Sequence, residues 1–339
     1  MSVATTTLLS TLTVSDFTDI VRREWATNPA RVTPMAKQLF QFDPIGNSRG
    51  SEKLYQEYDT QTFARFKGEG ANVSKAQAGT GFSKLARLQR YGVEIDITFE
   101  ERMYNQYESV RTKITDLSGF GAQRQEIDLT HRLTFSTATS YVNMDGQTVD
   151  ISTGETSATA LASATHALAF TSVTYNNIIT GSPVFSEANL AIAELVGATQ
   201  SYNNYGEKRV YNFNKLFIAD YPAVRNLARQ ILQSDAQISA PNAEVINVYK
   251  AKYDLVVLPY LASTATGAYD SAKKNYWGLV AAGQWNCYLA EWEAENLLTP
   301  TPGNNLVDSH SDVWTYGVRI GYSIACVSAR GLLISNNAS

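Results

Sequence analysis

Residues 46–92 read GNSRGSEKLYQEYDTQTFARFKGEGANVSKAQAGTGFSKLARLQRYG, and this stretch decides how the whole chain is interpreted. It contains no proline and is divided by glycines, a pattern that favours two extended limbs joined by a loose tip. We therefore predict a long hairpin. The segment carries four acidic residues and eight basic ones, which are Arg49, Lys53, Arg65, Lys67, Lys75, Lys84, Arg87 and Arg90.

The charge of this hairpin is opposite to that of the rest of the chain. The protein has 28 basic and 32 acidic residues, so the residues outside 46–92 comprise 20 basic and 28 acidic ones. A basic arm on an acidic body supplies both halves of an electrostatic contact between identical copies. We predict that the eight basic residues contact neighbouring subunits.

Nucleic acid is an alternative partner for the hairpin, with Tyr55, Tyr58, Phe63 and Phe66 stacking on bases. Acidic residues are interleaved with basic ones in the outbound limb, and the isoelectric point is about 5.5. Proteins that bind nucleic acid usually concentrate positive charge more strongly. Protein–protein contact is therefore the favoured interpretation.

Length and composition point to a protein that is covered by partners. A chain of 339 residues exceeds the ~250 to 300 at which a single core stops growing, which predicts two lobes. Charged residues are only 18%, while there are 19 tyrosines, and interfaces favour aromatic over charged side chains. Neutral polar residues used simply as surface are the alternative. The sequence shows neither a signal peptide nor an apolar run long enough to span a membrane.

Residues that could perform chemistry are scattered. His131, His166 and His310 are far apart in the sequence, and no phosphate-binding loop, zinc motif or nucleophile elbow is present. Cys287 and Cys326 lie in apolar surroundings, which predicts two buried free thiols. We predict no catalytic, cofactor or metal site, and an enzyme with an unfamiliar site is the remaining alternative.

The periodicity of apolar residues predicts the main elements. Residues 91–98 alternate strictly and predict a half-buried strand at the root of the hairpin, whose tip is loose. The first 45 residues look like an arm with a helix from Ser15, its N-cap, to Trp25. A long helix follows the hairpin, broken at 118–121 and resuming to about 141. Further predictions are strands at 210–219, 244–249, 254–259, 275–281, 285–292 and 313–327.

Two later helices have clearer signals. Ser186 is predicted to cap a helix whose apolar stripe is Ala188, Ile192, Leu195 and Thr199. Asp220 is predicted to cap a second helix with Pro222 in its first turn. The apolar stripe of this second helix comprises Val224, Leu227, Ala228, Ile231 and Leu232.

The order of these parts resembles that of the major capsid protein of tailed bacteriophages, the Hong Kong 97-like fold. The resemblance spans nearly the whole chain. It is carried by VEIDIT (93–98) running into FEE and the long helix, FSEANLAIAELV (185–196), KLFIADYP (215–222), NYWG (275–278) and VRIGYSIACVSARG (318–331).

The resemblance implies an α+β fold with named parts and a structural role. Copies would form the hexamers and pentamers of an icosahedral shell that encloses double-stranded DNA without sequence specificity. Deleting Gly68 to Gly81 would leave a foldable subunit that assembles poorly. The implied parts are an N-terminal arm (1–45), an E-loop hairpin (46–92), a peripheral domain (93–189) with a spine helix (about 115–142), an axial domain (190–300), and a return strand with the C-terminus of the peripheral domain (301–339).

The resemblance also implies partners and a location. The fold-like region begins soon after Met1, so we expect a separate scaffolding protein or none, together with a portal and an optional decoration protein. The expected location is the virion, after assembly in the cytoplasm of a host bacterium. An encapsulin-like cellular nanocompartment shell is the alternative that keeps the fold and changes the role.

Overall fold

The computed structural model describes residues 13–27, 34–46, 50–70, 72–104, 106–237, 245–300, 307–308 and 313–336. The first helix, α1, spans Val14–Thr27. Its N-cap is Thr13 rather than the predicted Ser15, because the Thr13 hydroxyl accepts a hydrogen bond from the Asp16 backbone N–H at 3.2 Å, while the Asp16 carboxylate accepts one from the Thr13 N–H. This reciprocal pair is a capping box. The buried face of α1 packs on its own subunit through Phe17, whose ring lies 5.5 Å from that of Trp314.

One sheet has the long strand β14 at its centre. β14 pairs antiparallel with β12 on one side and with β4 on the other, and β1 pairs parallel with β12. β4 confirms the predicted strand at the root of the hairpin. The strands are β1 (Gln41–Pro44), β4 (Gln89–Ile97), β12 (Cys287–Leu298), β13 (Val307–Asp308) and β14 (Val313–Cys326).

The long helix α3 crosses this sheet without the predicted break. After the short helix α2 (Phe99–Met103), α3 spans Tyr107–Thr134 and includes Gly119 and Gly121. An interior glycine costs a helix up to about 1 kcal/mol, which packing readily outweighs. A Cβ on Gly121 would lie 2.6 Å from the Glu295 carboxylate, so glycine allows a close approach here. The spine helix was predicted at about 115–142. α3 begins about eight residues before the predicted start and ends about eight residues before the predicted end.

The strand β5 (Ser140–Val142) takes up the end of the segment predicted as helix. It pairs with β6 (Thr148–Asp150) across a turn at Asp145-Gly146. A second small hairpin joins β7 (His166–Leu168) to β8 (Thr171–Tyr175).

The second sheet has the order β10, β9, β11, β15 and is covered by two helices. Its elements are α4 (Glu187–Thr199), β9 (Lys215–Ala219), α5 (Pro222–Gln233), β10 (Asp254–Leu258), β11 (Trp277–Val280) and β15 (Leu332–Ser335). The described part of the predicted strand 244–249 forms only an isolated bridge and a turn.

The predictions for the two helices on this sheet were each correct in part. Pro222 occupies the first turn of α5, whose predicted stripe is largely buried, but Tyr221 is the residue at the N-cap position. Ser186 caps α4 as predicted, accepting from the Asn189 N–H at 3.2 Å. The predicted face of α4 is wrong: Leu195 is exposed, and the buried face consists of Leu190, Ala193, Val196 and Gly197.

The C-terminal segment crosses from one sheet to the other. β14 ends at Cys326 in the first sheet, and β15 pairs antiparallel with β11 in the second. The predicted final strand, 313–327, is confirmed as β14, and β15 is an additional strand that the sequence did not predict. Cys287 and Cys326 face each other across β12 and β14 with Cα atoms 3.9 Å apart, and they form a disulfide. The prediction of free thiols is therefore wrong, because register pairs the two cysteines directly.

Candidate assembly surface

The predicted hairpin is present, and its strands lie on the body of their own subunit. β2 (Glu52–Thr60) pairs antiparallel with β3 (Ala78–Arg87), with a bulge near Glu57. Side chains of β2 alternate, so that Tyr55, Glu57 and Asp59 point inward and are buried. A two-stranded hairpin is marginal alone, so this contact with the body stabilises it.

Two of the buried side chains are carboxylates that meet an arginine from the far end of the chain. Arg330 donates through Nη2 to Glu57 at 2.5 Å and through Nη1 to Asp59 at 2.9 Å. All three side chains are at most 8% exposed. Asn204 donates to both carboxylates, at 2.9 Å from its backbone and 3.1 Å from its side chain. We call Arg330, Glu57 and Asp59 the latch.

The pKa shifts of Arg330 and Glu57 favour the charged form of both side chains. Burial alone would lower the pKa of Arg330, but the charge and hydrogen bond of Glu57, together with nearby tyrosines, raise the arginine pKa above its ordinary value. Burial alone would raise the pKa of Glu57, but the charge and hydrogen bond of Arg330 lower it below the usual range. The latch is therefore a buried ionic cluster with its polar atoms paired.

Glycines allow the hairpin to approach the body closely. A Cβ on Gly79 would lie 2.7 Å from the Phe170 ring, and one on Gly81 would lie 2.5 Å from the Asn204 amide. From the body side, a Cβ on Gly154 would lie 2.6 Å from the backbone oxygen of Ser83 in β3. The limbs of the hairpin are thus fixed parts of the subunit, where the sequence suggested only an anchored root.

Four of the eight basic residues form ion pairs within their own chain. Lys53 pairs with Asp43, Lys84 with Asp150 at 2.6 Å, Arg87 with Glu52 at 3.0 Å and Arg90 with Glu293 at 3.5 Å. Arg49 lies outside the described residues.

The other three basic residues lie in the tip, residues 61–77, which joins β2 to β3. Arg65, Lys67 and Lys75 are exposed, and no described carboxylate lies within ion-pair distance of them, although the charge of Arg65 is one of several causes that lower the pKa of Glu207. The tip has little sheet structure, and Thr62 ties its start to Glu207 through its backbone N–H at 2.7 Å. Contact of these residues with another subunit remains a prediction.

The tip also exposes large apolar side chains. Phe66 is 94% exposed, and Phe63 and Val73 are more than half exposed. Large exposed apolar groups on a protruding segment are typical of an interaction surface. Glu57 and Asp59 are buried and ion-paired, with Arg330 and, for Asp59, also with Arg209 at 3.3 Å, so they do not contribute to the accessible surface of the hairpin.

The body residues that hold the hairpin, Arg330 of the latch and its neighbour Asn204, were not found by sequence reasoning. Arg330 and Glu57 are 273 residues apart, and Asn204 lies in a loop without a motif. The alternation of Tyr55, Glu57 and Asp59 was the available signal, since it marks carboxylates on an inward face.

His131 and His166 are buried. Burial lowers the pKa of His131 to about 4, with help from the charges of Lys273 and Arg124, and its Nε2 lies 2.9 Å from the Ser263 hydroxyl. His166 lies between Glu155 at 2.6 Å and Asn177 at 3.2 Å. His310 falls outside the described residues, and the described residues form no cluster of histidine, cysteine and acidic side chains able to hold a metal ion.

A groove of about 270 Å³ lies between α3 and the β4–β14 edge of the first sheet. Tyr91, Val93 and Phe120 contribute to its mainly apolar lining. Arg124 and Asp145, its charged lining residues, pair with each other at 2.7 Å. Among the described residues, no helix is long and apolar enough to cross a bilayer.

The elements follow the order of the Hong Kong 97-like fold. They are a hairpin, a long helix across a sheet, a second lobe of helices and sheet, and a closing strand. The predicted α+β class is confirmed, and the chain has this fold.

Solved structures share the fold at low sequence identity. A chain from Gordonia phage Cozz is 11% identical, with 93% of this chain and 92% of that chain covered and a TM-score of 0.51. A chain from the capsid structure of cyanophage P-SCSP1u is 10% identical, with coverage of 90% and 88% and a TM-score of 0.51. The virus-like particle from Pyrococcus furiosus is 12% identical, with coverage of 94% and 99% and a lower TM-score of 0.43. No protein-family model and no curated protein matches the sequence.

Proposed function

We propose that this chain is the major capsid subunit of a tailed bacteriophage. Copies associate as hexamers and pentamers into an icosahedral shell around double-stranded DNA. The observation that carries the proposal is the tip of the hairpin, which exposes unpaired basic residues and Phe66 on a firmly held stalk. Its Hong Kong 97-like fold supports the same role, since the capsid of cyanophage P-SCSP1u shares it.

The charge distribution supports association between identical copies. Arg65, Lys67 and Lys75 give the tip a positive charge that only Glu69 opposes, while the chain outside the hairpin is acidic. A tip on one copy therefore meets complementary charge on the next. Such a contact joins two different surfaces, and contacts of this kind close into rings when the rotation between copies allows it.

The remaining partners belong to the same proposal. A separate scaffolding protein, a portal and a decoration protein are the expected protein partners, and DNA is held on the inner face without sequence specificity. The assembled protein resides in the virion, and assembly takes place in the host cytoplasm. The role is structural, with no catalytic step assigned to any residue.

Purification followed by size exclusion and electron microscopy tests the proposal. We expect ring-shaped capsomers or closed shells, alone or with a co-expressed scaffolding protein. A subunit that stays monomeric under all these conditions would count decisively against a capsid role. Particles from the native host distinguish the encapsulin-like alternative, because a nanocompartment contains an enzyme cargo while a capsid contains DNA.

A further inference from the structure

We propose that Arg330 is a positioning residue that sets the angle at which the hairpin leaves the subunit, and that copies associate only when this angle is fixed. The second half of the inference rests on the proposed function. Arg330 lies between the end of β14 and the start of β15, where the chain crosses from the first sheet to the second. Its guanidinium holds two carboxylates of β2, so one side chain joins the hairpin to the junction of both sheets.

The pairing of β2 and β3 contains a bulge close to this junction. The bulge near Glu57 places two residues of β3 opposite one of β2, and a bulge bends and twists a strand pair locally. Gly81 lies at this bulge and contacts Asn204, which itself donates to both carboxylates. The hairpin is thus bent at the level where the latch holds it.

The contribution of the latch is to orientation more than to stability. A buried ionic cluster gains attraction but loses the hydration of its charges, so removing all of its charges together usually costs much less stability than removing one partner alone. Neutral replacements lack the planar fork with which a guanidinium fixes two acceptors in direction. Removing the charges together should therefore preserve the fold while releasing the angle of the hairpin.

The test is the triple variant Glu57→Gln/Asp59→Asn/Arg330→Met, which removes the latch charges together and leaves no carboxylate unpaired. Arg330→Lys is a second variant that keeps the charge and loses the fork. The control is Asp235→Asn/Lys250→Met, which removes an exposed ion pair that lies outside the hairpin. Three readouts apply to each protein: thermal unfolding, amide hydrogen exchange of residues 52–60 and 78–87, and shell formation by electron microscopy.

We expect the triple variant to unfold within a few degrees of the wild type, to exchange hairpin amides about tenfold faster, and to form no regular shells. Arg330→Lys should show the same changes to a smaller degree, and the control should match the wild type. Unchanged exchange in the triple variant would overturn the positioning role. Normal shells despite faster exchange would overturn the link to association.

Failure of the proposed function has a different signature. If the wild type never assembles while the triple variant still exchanges faster, the capsid role is wrong and the positioning role stands. If the triple variant does not fold, hydrogen exchange and shell formation of Arg330→Lys are used instead, and the same results support or overturn the proposal.

Discussion

Gly154 has no room for a side chain, because a Cβ there would lie 2.6 Å from the backbone oxygen of Ser83 and 3.1 Å from that of Val327. Neither oxygen belongs to a side chain that could rotate away. We expect Gly154→Ala to lower the free energy of unfolding by about 1 to 3 kcal/mol, the usual cost of overpacking. Denaturant unfolding measures this loss. Ser157→Ala changes an exposed residue of the same loop, and an equal loss there would contradict the steric explanation.

Glu126 makes stability depend on pH. Its carboxylate is buried and accepts the Ala36 N–H at 2.9 Å, and burial raises its pKa from 4.5 to about 7. The folded state therefore holds a proton that the unfolded state has released, so stability present below pH 4.5 is lost as pH rises through 7.

We expect the wild type to lose up to about 3 kcal/mol between pH 4.5 and 7.5 relative to Glu126→Gln. Unfolding by urea at several pH values measures this difference. Glu108→Gln, an exposed change on the same helix, should follow the wild type. Parallel pH profiles for the wild type and Glu126→Gln would show that Glu126 does not carry the effect.

Sequence reasoning at the scale of residues succeeded only for local contacts. The Ser186 cap joins two residues that are three positions apart and was predicted correctly. The latch and the disulfide depend on which strands become neighbours, and that information lies in the three-dimensional packing. Arg330 thus looked like any arginine near a strand end.

At the scale of elements, the tip is separable from the strands that carry it. Gln61 and Gln77 face each other at the end of β2 and β3, with the Gln61 N–H donating to the Gln77 carbonyl at 2.9 Å. Replacing residues 62–76 with Asn-Gly should close a two-residue turn that suits this register. We expect a subunit of nearly unchanged thermal stability that forms no shells, as measured by calorimetry and electron microscopy.

The structure also revises the deletion that the sequence suggested. Removing Gly68 to Gly81 would cut the first residues of β3, including Gly79, which packs on Phe170. That deletion should destabilise the subunit itself, in contrast to the replacement of 62–76. Normal shells from the 62–76 replacement would show that the tip is not needed for assembly, which would contradict its place in the proposed function.

The buried face of a helix was predictable where apolar residues occupy only one of its faces. It was ambiguous where both faces are apolar. The α5 stripe was predicted correctly because its opposite face is polar. α4 is apolar on both faces, so periodicity could not tell which face the sheet would cover. The glycines of α3 suggested a break because the packing that compensates for them comes from elements distant in the sequence, chiefly β4, β14 and α1.

At the scale of the whole molecule, association should weaken as salt is added. Exposed charges on the tip are screened over about 8 Å at physiological ionic strength and over shorter distances in more salt. We expect light scattering to show slower assembly between about 0.05 M and about 0.5 M NaCl. Subunit unfolding should change little over that range. Faster assembly in more salt would indicate that apolar contacts of Phe63 and Phe66 dominate.

The order in which the chain is synthesised gives the latch a timing role. Asp59 emerges from the ribosome 271 residues before Arg330, which corresponds to about 15 to 50 seconds of translation. During that interval the hairpin strands exist without the side chain that sets their angle. A nascent subunit therefore cannot present a correctly aimed arm to its neighbours on the same messenger RNA. Polysomes can carry many unfinished copies side by side, and each becomes competent to associate only when its last strands are made.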